Sequence, residues 1–91
     1  MRFEWDPSKA ERNLAKHGVS FDEATTAFDD DLFLAFADPD HSDAENRLIL
    51  VGRSNEGRLL VVSFTERAED IRLISARRAT RRERKVYEEG V

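Results

Sequence analysis

The stretch from Arg47 to Arg77 restricts the fold more than any other part of the chain. It holds three runs of strand-forming residues, Arg47 to Arg53, Arg58 to Thr65 and Asp70 to Arg77. The links between them, Ser54-Asn-Glu-Gly57 and Glu66 to Glu69, are four residues each. A parallel crossover needs about a dozen residues or more, so these strands have to follow one another as an antiparallel meander. Ser54 to Gly57 is polar and ends in glycine, the composition of a hairpin loop. A further apolar run, Leu32 to Ala37, stops at Asp38-Pro39-Asp40 and adds a strand ahead of the meander.

Helices flank these strands. Arg2-Phe3-Glu4-Trp5 alternates in polarity and predicts a short first strand. Asp6-Pro7 then starts a helix, because Asp offers an acceptor to free amides and Pro has no amide to satisfy. That helix is expected to run to about His17 and stop at Gly18, which tolerates the left-handed cap. Ser20-Phe-Asp-Glu23 is a capping box preceded by the apolar Val19, and Phe21, Ala24 and Phe28 form a stripe at helical spacing. Thr80-x-x-Glu83 is a second capping box and opens a last helix ending near Gly90. The predicted order is β-α-α-β-β-β-β-α. This is an α+β fold with an antiparallel sheet packed by helices, in one domain over residues 1–91.

Charge is distributed unevenly along this frame. Residues 1 to 45 carry four Lys and Arg against twelve Asp and Glu, a net of −8, and the remainder carries eleven against seven, a net of +4. Seven Lys and Arg lie between Arg72 and Lys85 alone. The asymmetry points to a basic working face for a polyanion, balanced by an acidic part of the same chain. Two solvated surfaces that merely differ in sign would give the same count. There is no cysteine, which excludes disulfides, thiolate metal sites and a thiol nucleophile. With no apolar leader or membrane-length run, the expected setting is soluble and cytoplasmic.

Alternation along the strands sorts the side chains by face. Arg47, Ile49, Val51 and Arg53 share one face of their strand. In the last strand, Ile71, Leu73, Ser75 and Arg77 are expected on one face, and Arg72, Ile74, Ala76 and Arg78 on the other. Such a sheet would be covered by helices on one side and partly open on the other, with arginines at the rim. Arg suits a phosphodiester because its planar fork donates two parallel hydrogen bonds. The competing role for these arginines is ion pairing with Glu45, Glu66 or Asp70.

The first helix supplies another cluster. At about 100° per residue, Lys9, Asn13, Lys16 and His17 fall on one sector beside Ala10 and Leu14. They form a candidate catalytic or phosphate-contacting edge; alternatively, Lys16 and His17 only complement the negative end of the helix dipole, with Asn13 as a local capping partner. The oxygen-rich segment Asp38-Pro-Asp40-His41-Ser42-Asp43-x-Glu45 lacks the spacing of a calcium loop or a zinc set and is expected to be a turn. No phosphate-cradling glycine loop or nucleophile elbow is present. No metal or cofactor is expected.

Taken in order, these residues resemble a known family. Phe3-Glu-Trp-Asp6, Lys9-Ala10, Asn13, Lys16-His-Gly-Val-Ser-Phe21, Asp38, His41-Ser42, Glu45, Arg47, Gly52-Arg-Ser54 and Gly57-Arg58 are similar to the BrnT toxins. So are Ile71-Arg-Leu-Ile-Ser-Ala-Arg77, Ala79-Thr80, Glu83 and Tyr87, and the likeness spans nearly the whole chain. The resemblance implies a type II toxin–antitoxin system and a fold like that of the RelE ribonuclease toxins. It also implies metal-independent RNA cleavage that stops translation, and a ribbon-helix-helix antitoxin in a hetero-oligomer that binds operator DNA.

On this reading the RNA 2′-hydroxyl attacks the adjacent phosphate. Arg47, Arg58 and Arg77 are candidates for phosphate contacts, Lys16 and His17 for proton transfer or electrostatic help, and Tyr87 for base stacking or proton shuttling. Lys9, Asn13, Arg53, Arg78, Arg81 and Arg82 are the expected RNA-binding set. The rival is a non-catalytic module that binds nucleic acid or protein through the basic C-terminal strand and helix.

Overall fold

The computed structural model describes residues 2–40 and 46–90. Its elements are β1 (Arg2–Glu4), α1 (Pro7–His17), α2 (Phe21–Thr26), a 3-10 turn (Ala27–Asp29), β2 (Leu34–Ala37), β3 (Arg47–Arg53), β4 (Leu59–Arg67), β5 (Asp70–Arg78) and α3 (Arg81–Glu89). They form a mixed α+β fold around one five-stranded sheet of order β1-β5-β4-β3-β2. Strands β3 to β5 pair antiparallel as their short links require, and β2 joins β3 antiparallel as well. The short β1 joins the other edge parallel to β5, with Arg2 opposite Asp70 and Glu4 opposite Arg72. This one parallel pair departs from the all-antiparallel expectation, because most of the chain separates the two strands and link length says nothing about their direction. The segment expected as a turn after Asp40 lies outside the described residues from position 41 to 45.

Local chemistry explains the helix ends. The Asp6 carboxylate accepts from the Ser8 amide at 2.8 Å, and Gly18 closes α1 at φ 68° with its amide on the Leu14 carbonyl. Thr80 and Glu83 form a complete capping box on α3. The box expected on α2 is only half made: Ser20 Oγ accepts from the Glu23 amide, but the Glu23 carboxylate turns inward instead. β3 lies so close to the 3-10 turn that a Cβ at Gly52 would stand 2.7 Å from the Ala27 carbonyl oxygen, which only glycine avoids.

The two faces of the sheet are buried differently. Val19, Phe21, Ala24, Leu60, Val62 and Leu73 build the main core under α1 and α2. Phe28 extends it, edge-on to Phe3 at 5.0 Å and to Phe64 at 5.1 Å. On the opposite face α3 covers only one end, where Tyr87 packs on Val51, Leu59 and Val61.

A bulge corrects the face assignment in β5. Phe64 pairs with Leu73 but Ser63 pairs with Ser75, so Ile74 is an extra residue. The extra residue inverts the alternation beyond it. Ile71, Leu73, Ala76 and Arg78 therefore share the helix-covered face, while Arg72, Ser75 and Arg77 share the open one.

Asn13 seals the edge that β1 leaves unpaired. Its Nδ2 donates to the carbonyls of Ala76 at 2.8 Å and Val19 at 2.9 Å, and its Oδ1 accepts from the Ala76 amide at 3.1 Å. The side chain thus stands in for a strand neighbour. Buried backbone groups left without such partners would cost about 1–3 kcal/mol each.

Candidate functional site

Cross-strand register lays out the open face in rows. Arg47, Thr65 and Arg72 lie side by side on β3, β4 and β5. The next row is Phe36, Ile49, Ser63 and Ser75, and the one after it Leu34, Val51, Val61 and Arg77. α3 packs over this third row through Tyr87, which rests on Val51 and Val61. The result is a floor of Ile49, Ser63 and Ser75, with Arg47 and Arg72 on one side and Arg77 on the other. Arg72 leans to Glu4 at 3.6 Å. The half-buried Arg47 side chain has no hydrogen-bond or ion-pair partner among the described residues. Between the two arginines, the buried Thr65 Oγ1 also lacks a hydrogen-bond partner among the described residues.

Arg77 and Glu83 form a two-pronged pair, Nη1 to Oε1 and Nη2 to Oε2, both at 2.8 Å. Hydrogen bonding from Arg77, opposed in part by burial and helped by the Thr80 amide, lowers the Glu83 carboxyl to about 2. The same bond holds the Arg77 guanidinium more firmly protonated. Their side chains remain 40% and 30% exposed, so this fork can be reached from solvent. Arg81 and Arg82 stand exposed in the first turn of α3. Cations there oppose the helix dipole, so helix stability does not account for them.

Arg58, expected at a phosphate, lies away from this face and is engaged by a buried carboxylate. Its Nε donates to Glu23 Oε2 at 3.0 Å, and its Nη2 bonds both Glu23 Oε1 and the Gly18 carbonyl. Ser54 Oγ adds a bond to Glu23 at 2.7 Å. Glu23 is buried, and the hydrogen bond from Arg58 lowers its pKa against the effect of burial. Arg78, at the exposed end of the helix-covered face, adds a weaker attraction to Glu23. A phosphate would have to displace a buried carboxylate to use Arg58.

Tyr87, expected to stack on a base or shuttle a proton, is packed between α3 and the sheet. It is buried, and its hydroxyl donates to Asp30 Oδ2 at 2.6 Å. Burial, then the Asp30 bond, raise the Tyr87 pKa. Burial would raise Asp30 too, but bonds from Tyr87 and the Arg53 and Leu32 amides keep it lowered. The Arg53 guanidinium lies 5.7 Å from the Tyr87 ring centroid and bonds the Gly57 carbonyl at 3.3 Å, which fixes it near the hairpin loop.

The α1 cluster forms its own groove, separate from Arg47. Lys9, Arg12, Asn13, Lys16 and His17 line it with Ile74 and Ser75 of β5, in an open volume of about 320 Å³. Asn13, an expected RNA contact, forms the floor of this groove, with its amide engaged by the backbone of Val19 and Ala76. Arg12 went unmarked in the sequence, although it lies three residues after Lys9 and four before Lys16, the spacing that would have found it. Among the described residues no three His, Cys, Asp or Glu side chains gather as a metal site, and no helix is long and apolar enough to cross a membrane.

Comparison with known proteins identifies the family. The family model described as the ribonuclease toxin BrnT of type II toxin–antitoxin systems matches residues 5–83. The 1.1 Å crystal structure of the Brucella abortus ribonuclease toxin BrnT superposes with a TM-score of 0.68 at 27% identity, covering 89% of this chain and 99% of that one. A search of curated proteins found no match. The chain belongs to the BrnT family of ribonuclease toxins.

Proposed function

We propose that this BrnT-family chain is a metal-independent endoribonuclease that works on the open face of its sheet. The observation that carries the reading is the arginine arrangement there: Arg47 without a partner among the described residues, and Arg77 held at the opposite side by a solvent-reachable glutamate. A scissile phosphate between them would receive charge-assisted forks from two sides. The substrate's 2′-oxygen bonds to phosphorus and the bond to the 5′-oxygen breaks, leaving a cyclic phosphate and a free 5′-hydroxyl. The attacking hydroxyl gives up its proton and the leaving oxygen takes one, both exchanged with water. Negative charge grows on the phosphoryl oxygens in the pentavalent state, and the arginine charges would stabilise that state more than the ground state. Lys16 and His17 lie on α1 beside β5, away from Arg47 on β3, so this reading gives them no proton-transfer role. We read the chain as a single RelE-like domain acting in the cytoplasm, where RNA cleavage stops translation. A ribbon-helix-helix antitoxin, in a hetero-oligomer that binds operator DNA, would cover the arginine face.

The test is multiple-turnover cleavage of single-stranded RNA by the isolated chain in excess EDTA, with products identified by mass spectrometry. Cyclic-phosphate ends at sub-stoichiometric protein are expected. Loss of activity in chelator with recovery on adding magnesium or manganese would sink the metal-free mechanism. Binding without turnover would instead favour the non-catalytic module.

A further inference from the structure

β1 pairs with β5 only as far as Arg72, so the edge of β5 beyond that point has no strand neighbour. Asn13 satisfies Ala76 there, but Ile74 and Ser75, the residues at the bulge, stay at the surface of the α1 groove. Ser75 therefore belongs to two surfaces at once. By register it stands beside Ser63 on the open face, and it also lines the groove of Lys9, Arg12, Lys16 and His17. The open face and the α1 groove meet at Ser75, where β1 no longer covers the edge of β5.

Those cations are unneutralised in an acidic protein. The chain carries a net charge of −4, yet among the described residues no carboxylate lines the groove. Lys9, Arg12 and Lys16 are exposed and make no ion pair with any described residue. Seven residues of helix place Lys9 and Lys16 roughly 10 Å apart along the axis, a row rather than a point. A row of charges fits a repeating polyanion better than a small ligand. The helix dipole accounts for Lys16 and His17 in the last turn, but not for Lys9 and Arg12 in the first two turns.

We propose that this groove is a track for the RNA backbone. A strand bound at the arginine face crosses the sheet edge at Ser75 and continues along α1, where Lys9, Arg12 and Lys16 hold successive phosphates and His17 closes the far end. The track rests on the ribonuclease reading for its ligand and extends it: substrate affinity comes from nucleotides beyond the scissile bond.

The experiment uses fluorescein-labelled 2′-O-methyl oligouridines of about four and about twelve nucleotides, which lack the attacking hydroxyl. Binding to the full chain is followed by anisotropy between about 50 and 200 mM salt, a range over which phosphate contacts dominate single-strand affinity. The long probe should bind more tightly and with the steeper salt dependence. In the Lys9→Ala/Arg12→Ala/Lys16→Ala variant that advantage should collapse by at least about tenfold, with the slope of log K against log salt reduced by about 2 for three lost contacts. The charge-retaining variant Lys9→Arg/Arg12→Lys/Lys16→Arg should keep the long-probe affinity. If the alanine variant keeps both affinity and slope, or if the charge-retaining variant loses as much as the alanine one, the track is overturned. Because the probes cannot be cleaved, failure of the ribonuclease reading appears separately, as absent turnover on ordinary RNA with the probe result unchanged.

Discussion

Two helices of this domain open with the same four-residue signal, and each glutamate of that signal takes an arginine fork. At α2 the signal is Ser20-x-x-Glu23, and at α3 it is Thr80-x-x-Glu83. Glu83 stays at its cap, bonding the Thr80 amide and Arg77, both within six residues of it. Glu23 abandons its cap and reaches Arg58 and Ser54 at the hairpin loop, more than thirty residues away. Its side chain is only 2% exposed, against 30% for Glu83. The difference is one of solvent access. A sealed pair fixes how elements pack, whereas a pair on an open face holds an arginine in place and can still give it up to a competing anion.

The comparison is tested most severely by removing each arginine. Arg58→Ala leaves the buried Glu23 carboxylate with Ser54 as its remaining side-chain donor, and an unpaired buried charge is strongly destabilising. Arg77→Ala leaves Glu83 bonded to Thr80 and open to water, where a lost pair matters little. Thermal melts should show a fall for Arg58→Ala at least about twice that for Arg77→Ala. Equal falls would mean that the two pairs do the same work and that the open face is not special.

Catalysis should reverse the order. Arg47→Ala and Arg77→Ala are each expected to lower kcat/KM for RNA by at least about tenfold, the scale of losing about 1.4 kcal/mol of transition-state binding. Both should keep a cooperative melt. If either variant cleaves at the original rate while folded, the scissile phosphate does not lie between these two arginines.

How much of this was legible in the sequence follows from the range of each interaction. The helix ends at Gly18 and Gly90 and the cap at Thr80 depend on residues within a turn, and they form as read. The β3-to-β5 meander was fixed by its short links. The β5 faces were not, because a bulge at Ile74 shows only in the pairing with β4 and inverts everything after it. Asn13 gave no local sign of clamping Ala76, 63 positions away, and Arg58 none of pairing with Glu23, 35 positions away. Strand parity correctly put Arg47 beside Ile49 and Val51, since β3 runs in register with β4 throughout. Whether an arginine already has an acidic partner is a tertiary fact, and that fact separates Arg58 and Arg77 from Arg47.

The smallest expected effect is the sharpest test of exchange at the open face. Glu83→Gln keeps a side-chain oxygen for the Thr80 amide, as glutamine does in capping boxes, but removes the charge that holds Arg77. Two changes in opposite directions follow. RNA affinity should rise by about threefold, roughly 0.6 kcal/mol, because the phosphate no longer competes with a carboxylate. Stability at neutral pH should fall slightly, by no more than about 1 kcal/mol for a pair this exposed. The sign of the pH dependence is fixed by the lowered Glu83 pKa. Its carboxylate stabilises the fold fully above its ordinary 4.5 and loses that contribution as pH falls toward about 2. The gap in melting temperature between the original chain and Glu83→Gln should therefore be constant above about pH 5 and close toward pH 2. Weaker RNA binding in Glu83→Gln, with the same closing gap, would show that Glu83 aims Arg77 at the phosphate instead of competing with it. The open-face pair would then be as fixed in its role as the buried one.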